Sequence, residues 1–110
     1  MNFSKISVVG LGYIGLPTAA MFASRGIEVV GVDVNPDVVA TINSGGIHII
    51  EPDLDAVVYK SVNEGKLRAT LTPEASQAFL IAVPTPISHA TLEPNLDYIE
   101  AAANSIAPVI

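Results

Sequence analysis

Three glycines near the N-terminus have the spacing of a phosphate-binding turn. They lie in the run Gly10-Leu11-Gly12-Tyr13-Ile14-Gly15, directly after the apolar residues 6–9. Glycines in this pattern let a backbone pass close to a pyrophosphate, which the first amides of the following helix can bind. The pattern predicts a dinucleotide site. The alternative is a glycine-rich turn that serves tight packing only.

An acidic residue follows at the distance expected for a ribose contact. Asp33 ends the next apolar run and lies 18 positions after Gly15. A carboxylate there can accept hydrogen bonds from both adenosine ribose hydroxyls, and it would repel a 2′-phosphate. No Arg or Lys follows in residues 34–36, so the pattern favours NAD over NADP. The alternative is that Asp33 caps the next helix.

A turn with two prolines supplies a third candidate contact. Thr85 lies between Pro84 and Pro86, immediately after the apolar run 79–83. Its hydroxyl would lie at the carboxyl end of a strand, where open α/β sheets bind their ligands. The alternative is a purely structural turn.

Alternating apolar runs and helical patterns supply the elements that must position these residues. Strands are predicted at residues 6–9, 28–33, 68–71 and 79–83, the last buried on both faces by its uninterrupted apolar run. Helices are predicted at 15–25, 36–42, 54–62 and 98–106, with a helical turn at 72–75 and an extended loop at 47–52. Asn35 and Asp53 are predicted N-caps, and Gly26 is predicted to end the first helix in a left-handed conformation.

Strands that alternate with helices predict an α/β fold, a Rossmann-type doubly wound parallel sheet with the strand order 3-2-1-4. Residues 1–110 would then form an incomplete N-terminal NAD-binding domain, because a strand normally follows the last predicted helix. The fourth strand would lack an outer neighbour. Such an apolar edge invites pairing with another copy, so we expect self-association.

Composition narrows the function further. The chain has 110 residues, a formal net charge of −6 and only five Lys and Arg, so no nucleic-acid partner is expected. The absence of cysteine excludes disulfides and thiol chemistry within these residues. His48 and His89 lack metal-ligand spacing, so no metal site is predicted. No apolar run approaches the ~20 residues of a membrane span, and no signal peptide is recognisable, so we expect a cytoplasmic protein.

With these motifs placed, the chain closely resembles the N-terminal part of the nucleotide-sugar 6-dehydrogenases, the family of UDP-glucose dehydrogenase. The resemblance covers essentially the whole chain and is carried by residues 7–18, 31–35, 51–54 and 83–86. Residues 18–25 and 47–54 are most similar to the branch that oxidises UDP-N-acetyl-D-mannosamine. UDP-glucose enzymes more often have a glycine where this chain has Asp53, and an arginine where it has Val38. Val38 puts that adenosine contact in doubt and leaves Asp33 as the main ribose anchor.

The resemblance implies an activity. The C6 hydroxyl of a UDP-sugar is oxidised twice to a carboxylate while two NAD⁺ are reduced; the product of this branch, UDP-N-acetyl-D-mannosaminuronate, is a precursor of enterobacterial common antigen and related cell-surface polysaccharides. It also implies NAD contacts at Tyr13, Ile14, Asp33 and Thr85, with the turn glycines around them. The family's catalytic cysteine matches nothing here, so no catalytic residue is assigned. We expect these 110 residues to bind NAD weakly at best and to oxidise nothing.

Two alternatives remain open from the sequence. One is the same role in an enzyme for UDP-N-acetylglucosamine or UDP-glucose, and the other is a non-catalytic NAD-sensing module. In either enzyme reading the UDP-sugar would be bound mainly outside this chain, and we expect a homo-oligomer.

Overall fold

The computed structural model of the chain describes residues 4–49, 51–83 and 97–109. The strands are β1 (Lys5–Val9), β2 (Glu28–Val32), β3 (Leu67–Thr70) and β4 (Ala78–Ile81). The helices are α1 (Gly15–Ser24), α2 (Pro36–Asn43), α3 (Leu54–Asn63) and α4 (Asp97–Ile106), and a 3₁₀ turn, Ala107–Val109, follows α4. All strand pairs are parallel, in the order β3-β2-β1-β4. The predicted Rossmann-type α/β class and strand order are therefore confirmed.

The ends of the first two helices follow the predicted local chemistry. Pro17 lies in the first turn of α1, where a missing N–H removes no intrahelical bond. Gly26 follows the helix at φ +89°, and its amide donates to the Ala23 carbonyl at 3.0 Å. The Asn35 side chain accepts a hydrogen bond of 2.9 Å from the Asp37 amide, which caps α2. These residues determine where α1 begins and ends and where α2 begins.

The connection into α3 differs from the prediction in one respect. Asp53 does occupy the N-cap position, but its φ is +64° and its side chain makes no capping hydrogen bond. This left-handed backbone differs from the extended conformation in which an N-cap side chain bonds the first helical amides. The preceding segment, predicted as an extended loop, contains no strand in residues 47–49 and 51–52. Ile49 is buried in the core, which explains why this loop is so apolar.

Successive strand residues point to opposite faces of the sheet, and each face has its own core. The first core lies between the sheet and the helices α1, α2 and α3, and it includes Ile6, Val8 and Val29. The second lies on the other face, where Val9, Val30 and Val32 pack against Ala102 and Ile106 of α4. Helices on both faces are typical of a doubly wound sheet.

Strand β4 does not have the burial that its sequence predicted. The run 79–83 was expected to be buried on both faces, yet Leu80 is 38% exposed and Ile81 is 39% exposed. The strand also ends at Ile81, before Val83. The reason is its position, because within the described residues β4 is an edge strand with β1 as its neighbour. The prediction of burial was therefore wrong.

The link from β3 to β4 also differs from expectation. The predicted helical turn at 72–75 is absent, and the segment is irregular. Residues 71–77, called the strap below, must pass from the carboxyl end of β3 across two strands to the start of β4. At about 3.3–3.6 Å per residue, only an extended path covers that span. The strap is held to the sheet by hydrogen bonds from Arg68 and Lys5 to Glu74, and by a 2.6 Å contact between the Ser7 and Ser76 hydroxyls.

Candidate functional site

A cleft of about 790 Å³ opens at the carboxyl ends of β1, β2 and β4. The glycine turn after β1 forms one side, Asp33 and Val34 after β2 form the next, and Leu71 and α4 complete the wall. Helices α1 and α4 pack on opposite faces of the sheet. In open α/β sheets, the crevice at such a switch point is where ligands bind. The fold thus brings the predicted turn and the predicted acid to one cleft.

The three glycines of the turn differ in what surrounds them, and therefore in why a side chain would or would not fit there. Gly10 has a φ of +96°, and a Cβ there would lie 2.6 Å from the Ala82 carbonyl oxygen. A Cβ on Gly15 would lie 1.7 Å from the Gly10 carbonyl oxygen, so only glycine lets α1 start so close to β1. A Cβ on Gly12 would meet no heavy atom within 4 Å. The protein's own packing therefore requires Gly10 and Gly15, while the space beside Gly12 is open to a ligand.

The start of α1 presents donors to this open space. Within residues 4–49, 51–83 and 97–109, the backbone amides of Gly12, Tyr13 and Ile14 donate no hydrogen bond to the protein. The first turn of α1 contains no acidic residue. The Tyr13 and Ile14 side chains are 71% and 74% exposed and line the cleft. Free amides at the positive end of a helix dipole form a site suited to an anion such as a phosphate.

Asp33 joins the two turns that border the cleft. Its Oδ2 accepts a hydrogen bond of 3.0 Å from the Leu11 amide, and its Oδ1 accepts one of 3.0 Å from the Asn35 amide. Asn35, not Asp33, provides the side-chain cap of α2. Each carboxylate oxygen can accept a second hydrogen bond. The carboxylate is thus held in place and keeps acceptor capacity for a ligand diol.

Two residues of the site had no predicted role. Leu11 lies inside the glycine turn but is only 1% exposed, and a Cβ on Gly31 would lie 2.7 Å from its Cδ2 atom. A signal was available, because a large apolar residue between two turn glycines and a glycine inside a strand are both unusual. A strand glycine often marks a close approach by another group. Sequence spacing alone did not indicate that the two would meet.

Other predicted positions lie away from this geometry. Thr85, with Pro84 and Pro86, lies outside the described residues, and so does His89. His48 is exposed in the loop before α3. In the described part of the chain, no group of three or more His, Cys, Asp or Glu side chains is placed to hold a metal ion. None of the helices that the structure describes has the length and apolar character needed to cross a membrane.

Comparison with known proteins identifies a family that matches nearly the whole chain. Residues 4–110 match the family model described as the UDP-glucose/GDP-mannose dehydrogenase family, NAD binding domain. The chain is 59% identical over 109 residues to the UDP-N-acetyl-D-mannosamine dehydrogenase of Campylobacter jejuni, covering 99% of this chain and 27% of that protein. It is 61% identical over 110 residues to the NDP-N-acetyl-D-galactosaminuronic acid dehydrogenase of Ralstonia nicotianae, covering 100% and 26%. The chain thus spans about a quarter of the length of these curated relatives.

Solved structures show the same relationship. The native UDP-N-acetyl-mannosamine dehydrogenase of Staphylococcus aureus superposes with a TM-score of 0.94 at 44% identity, covering 97% of this chain and 26% of that one. A ternary complex of GDP-mannose dehydrogenase from Pseudomonas aeruginosa superposes with a TM-score of 0.84 at 33% identity, covering 92% and 24%. The arrangement of sheet, turn and helices is therefore shared with enzymes that oxidise sugar nucleotides.

Proposed function

The chain belongs to the UDP-glucose/GDP-mannose dehydrogenase family, and from that premise we propose that it is the NAD-binding portion of a UDP-N-acetyl-D-mannosamine 6-dehydrogenase. The observation that carries the proposal is the match of the whole chain, at 59% identity, to enzymes of that name from Campylobacter jejuni and Escherichia coli. The protein would oxidise the C6 hydroxyl of the UDP-sugar to a carboxylate in two steps. Each step would reduce one NAD⁺.

The cleft supports a specific placement of the cofactor. The pyrophosphate would pass over Gly12, where the space is open, and accept hydrogen bonds from the free amides of Gly12, Tyr13 and Ile14. The Asp33 carboxylate would accept hydrogen bonds from the hydroxyls of the adenosine ribose. Gly10 and Gly15 would shape the turn without touching the ligand. Thr85, adjacent to this end of the sheet in sequence, is the remaining proposed contact. When bound, NAD⁺ supplies the hydride acceptor.

The reacting groups are proposed to lie outside this chain. These 110 residues contain no cysteine, so a thiolate nucleophile of the kind implied by the family resemblance cannot come from them. The UDP-sugar would likewise be bound mainly by the rest of the protein. We accordingly expect the 110-residue chain to show no dehydrogenase activity, and the whole protein to work as a homo-oligomer in the cytoplasm.

One further candidate has a specific observation behind it. The Ralstonia nicotianae relative, at 61% identity, is an NDP-N-acetyl-D-galactosaminuronic acid dehydrogenase. Its identity differs too little from the 59% of the mannosamine enzymes to decide the sugar. Because no sugar-contacting residue has been placed in the described cleft, the sugar must be identified by assay.

The proposed function is tested by assaying the intact protein for NADH formation. The substrates are UDP-N-acetyl-mannosamine, UDP-N-acetylgalactosamine, UDP-N-acetylglucosamine and UDP-glucose, each with NAD⁺ and with NADP⁺. We expect turnover with UDP-N-acetyl-mannosamine and NAD⁺, with two NADH formed per sugar. If another sugar nucleotide is preferred, that sugar nucleotide is the substrate and the assignment to UDP-N-acetyl-mannosamine is wrong. Preference for NADP⁺ would contradict the role of Asp33. NAD⁺ binding without turnover of any sugar would favour a sensing module.

A further inference from the structure

We propose that Leu11 and Gly31 are positioning residues for the cofactor. Strand β2 would set the position of the glycine turn through Leu11, without the Leu11 side chain contacting the ligand's phosphates. The inference deepens the proposed NAD site and rests on it. It is carried by three contacts between the turn and the end of β2.

The first contact is apolar. A methyl group on Gly31 would lie 2.7 Å from Cδ2, 2.9 Å from Cδ1 and 3.3 Å from Cγ of Leu11. Real side-chain carbons do not approach within 3.0 Å, so Leu11 fits only because residue 31 has no side chain. Gly31 itself cannot shift easily, because it is paired with Val8 of β1 and Ala69 of β3. Any added atom at position 31 must therefore displace Leu11.

The other two contacts are hydrogen bonds from the backbone of the turn. The Gly10 amide donates to the Val32 carbonyl at 2.7 Å, and the Leu11 amide donates to Asp33 Oδ2 at 3.0 Å. Consecutive residues of the β2 end, from Gly31 to Asp33, thus hold consecutive residues of the turn.

Among the residues that the structure describes, none accepts a hydrogen bond from the amides of the next three residues of the turn, Gly12 to Ile14. Because these residues directly follow Leu11, a shift of Leu11 would change the height and direction of their amides over the cleft. Hydrogen bonds weaken steeply when distance and angle depart from their optimum. Donors that are already in place also save the free energy of ordering them when the ligand binds. A displaced Leu11 should therefore weaken binding of the pyrophosphate. Binding of the ribose alone should change much less, because Asp33 keeps its hydrogen bond from the Asn35 amide.

The test compares two ligands in the intact protein. ADP contains the pyrophosphate, whereas adenosine contains the ribose and base without it. We expect Gly31→Ala to weaken ADP and NAD⁺ binding by about tenfold, which corresponds to about 1.4 kcal/mol, with adenosine affinity changed less than about twofold. Gly46→Ala is the control, because its added methyl would meet no atom closer than 3.4 Å and residue 46 does not line the cleft.

A second substitution tests whether the effect passes through Leu11. Valine lacks both Cδ atoms, so Gly31→Ala with Leu11→Val should recover most of the ADP affinity lost in Gly31→Ala. If Gly31→Ala does not fold, Leu11→Ala in the wild-type background serves instead, since it removes the side chain that fits over Gly31. It should show the same selective loss of ADP affinity.

Hydrogen exchange supplies a readout that needs no cofactor. The measurement uses Gly31→Ala, or Leu11→Ala if the former does not fold. The backbone amide at position 11 should exchange at least about tenfold faster, because its bond to Asp33 is disturbed, while the Val8 amide in β1 stays protected. Equal weakening of ADP and adenosine, or unchanged Leu11 exchange, would overturn the positioning role. If the wild-type protein bound neither NAD⁺ nor ADP, the proposed function would fail, and the exchange rates alone would decide whether β2 positions the turn.

Discussion

At the scale of single residues, the three glycines of the turn have different surroundings. Gly10 and Gly15 are surrounded by the protein's own backbone, whereas the space beside Gly12 is empty. Their spacing could be predicted from the sequence, because the pattern is local. The hydrogen bond from Leu11 to Asp33 could not, since it joins residues far apart in the chain and depends on β1 and β2 being neighbours.

The different roles of the glycines can be tested by two matched substitutions. Gly12→Ala should leave the free energy of unfolding within about 0.5 kcal/mol of wild type but abolish measurable NAD⁺ binding, because the methyl would fill the space of the pyrophosphate. Gly15→Ala should destabilise the fold by about 3 kcal/mol or more, since its methyl would overlap the Gly10 carbonyl. Denaturant unfolding and NAD⁺ titration measure both. A Gly12→Ala protein that binds NAD⁺ normally would contradict the placement.

A second prediction concerns the carboxylate of Asp33. In Asp33→Asn, one carboxylate oxygen becomes an NH₂ group, which cannot accept from either the Leu11 or the Asn35 amide. We expect NAD⁺ affinity to fall by roughly tenfold and the preference over NADP⁺ to shrink, because the negative charge that repels a 2′-phosphate is gone. Both dissociation constants are measured by calorimetry.

The matched control is Asp37→Asn, which makes the same chemical change at an exposed position that does not line the cleft. It should bind both cofactors as wild type does. An Asp33→Asn protein with unaltered discrimination would show that Asp33 does not select the cofactor.

At the scale of elements, most boundaries could be predicted because their signals are local. Short apolar runs predicted the strands, while Asn35 before Pro36 and Gly26 after α1 act through neighbouring atoms. The strap and β4 could not be predicted in this way. A Thr-Pro-Glu sequence favours a turn, but the distance between β3 and β4 imposes an extended path. Burial of β4 depends on which element covers it, and its own composition does not determine that.

The ion pairs of the strap predict that the stability of the fold depends on pH in the acidic range. The pKa of Glu74 is lowered from 4.5 to about 2, chiefly by the hydrogen bond from Arg68, with a further contribution from Lys5. A carboxyl group with a lowered pKa in the folded state contributes stability above its unfolded pKa, and that stability is lost as the pH falls from about 4.5 towards 2.

We therefore expect Glu74→Gln to destabilise the protein at pH 7 by roughly 0.5–1 kcal/mol, allowing for screening of these half-exposed groups. Between pH 4.5 and pH 2 the difference from wild type should disappear. Urea unfolding across this range measures it. Glu64→Gln, which breaks a more exposed pair with Lys60 in α3, is the control and should have a smaller effect. An equal pH dependence in wild type and Glu74→Gln would contradict the role of the strap.

At the scale of the whole molecule, the described residues form a sheet that is covered on both faces but open at β4. Leu80 and Ile81 leave apolar surface at that edge. Edge strands with exposed apolar side chains are templates for pairing with another chain. The order 3-2-1-4, predicted from the succession of elements, already placed the fourth strand there.

The prediction at this scale is that the 110-residue chain, expressed alone, self-associates through β4. Sedimentation velocity should show a concentration-dependent rise in mass, and Leu80→Lys should reduce it, because a charge on an edge strand disfavours strand addition. Met21→Lys, which places the same charge on an exposed position of α1, should leave association unchanged. A monomer at high concentration in the unsubstituted chain would contradict this prediction.

The division into two cores has a consequence for biogenesis. Every buried member of the first core lies between Ile6 and Ala69, so the ribosome has made all of them before it reaches the strap. A nascent chain that has just released β3 therefore already contains every buried residue of the first core, whereas Ala102 and Ile106 of the second core are still to be made. Since α4 is synthesised after these residues, the wall that it adds to the cleft forms later in translation. The complete cofactor cleft therefore forms after the residues of the first core have been made.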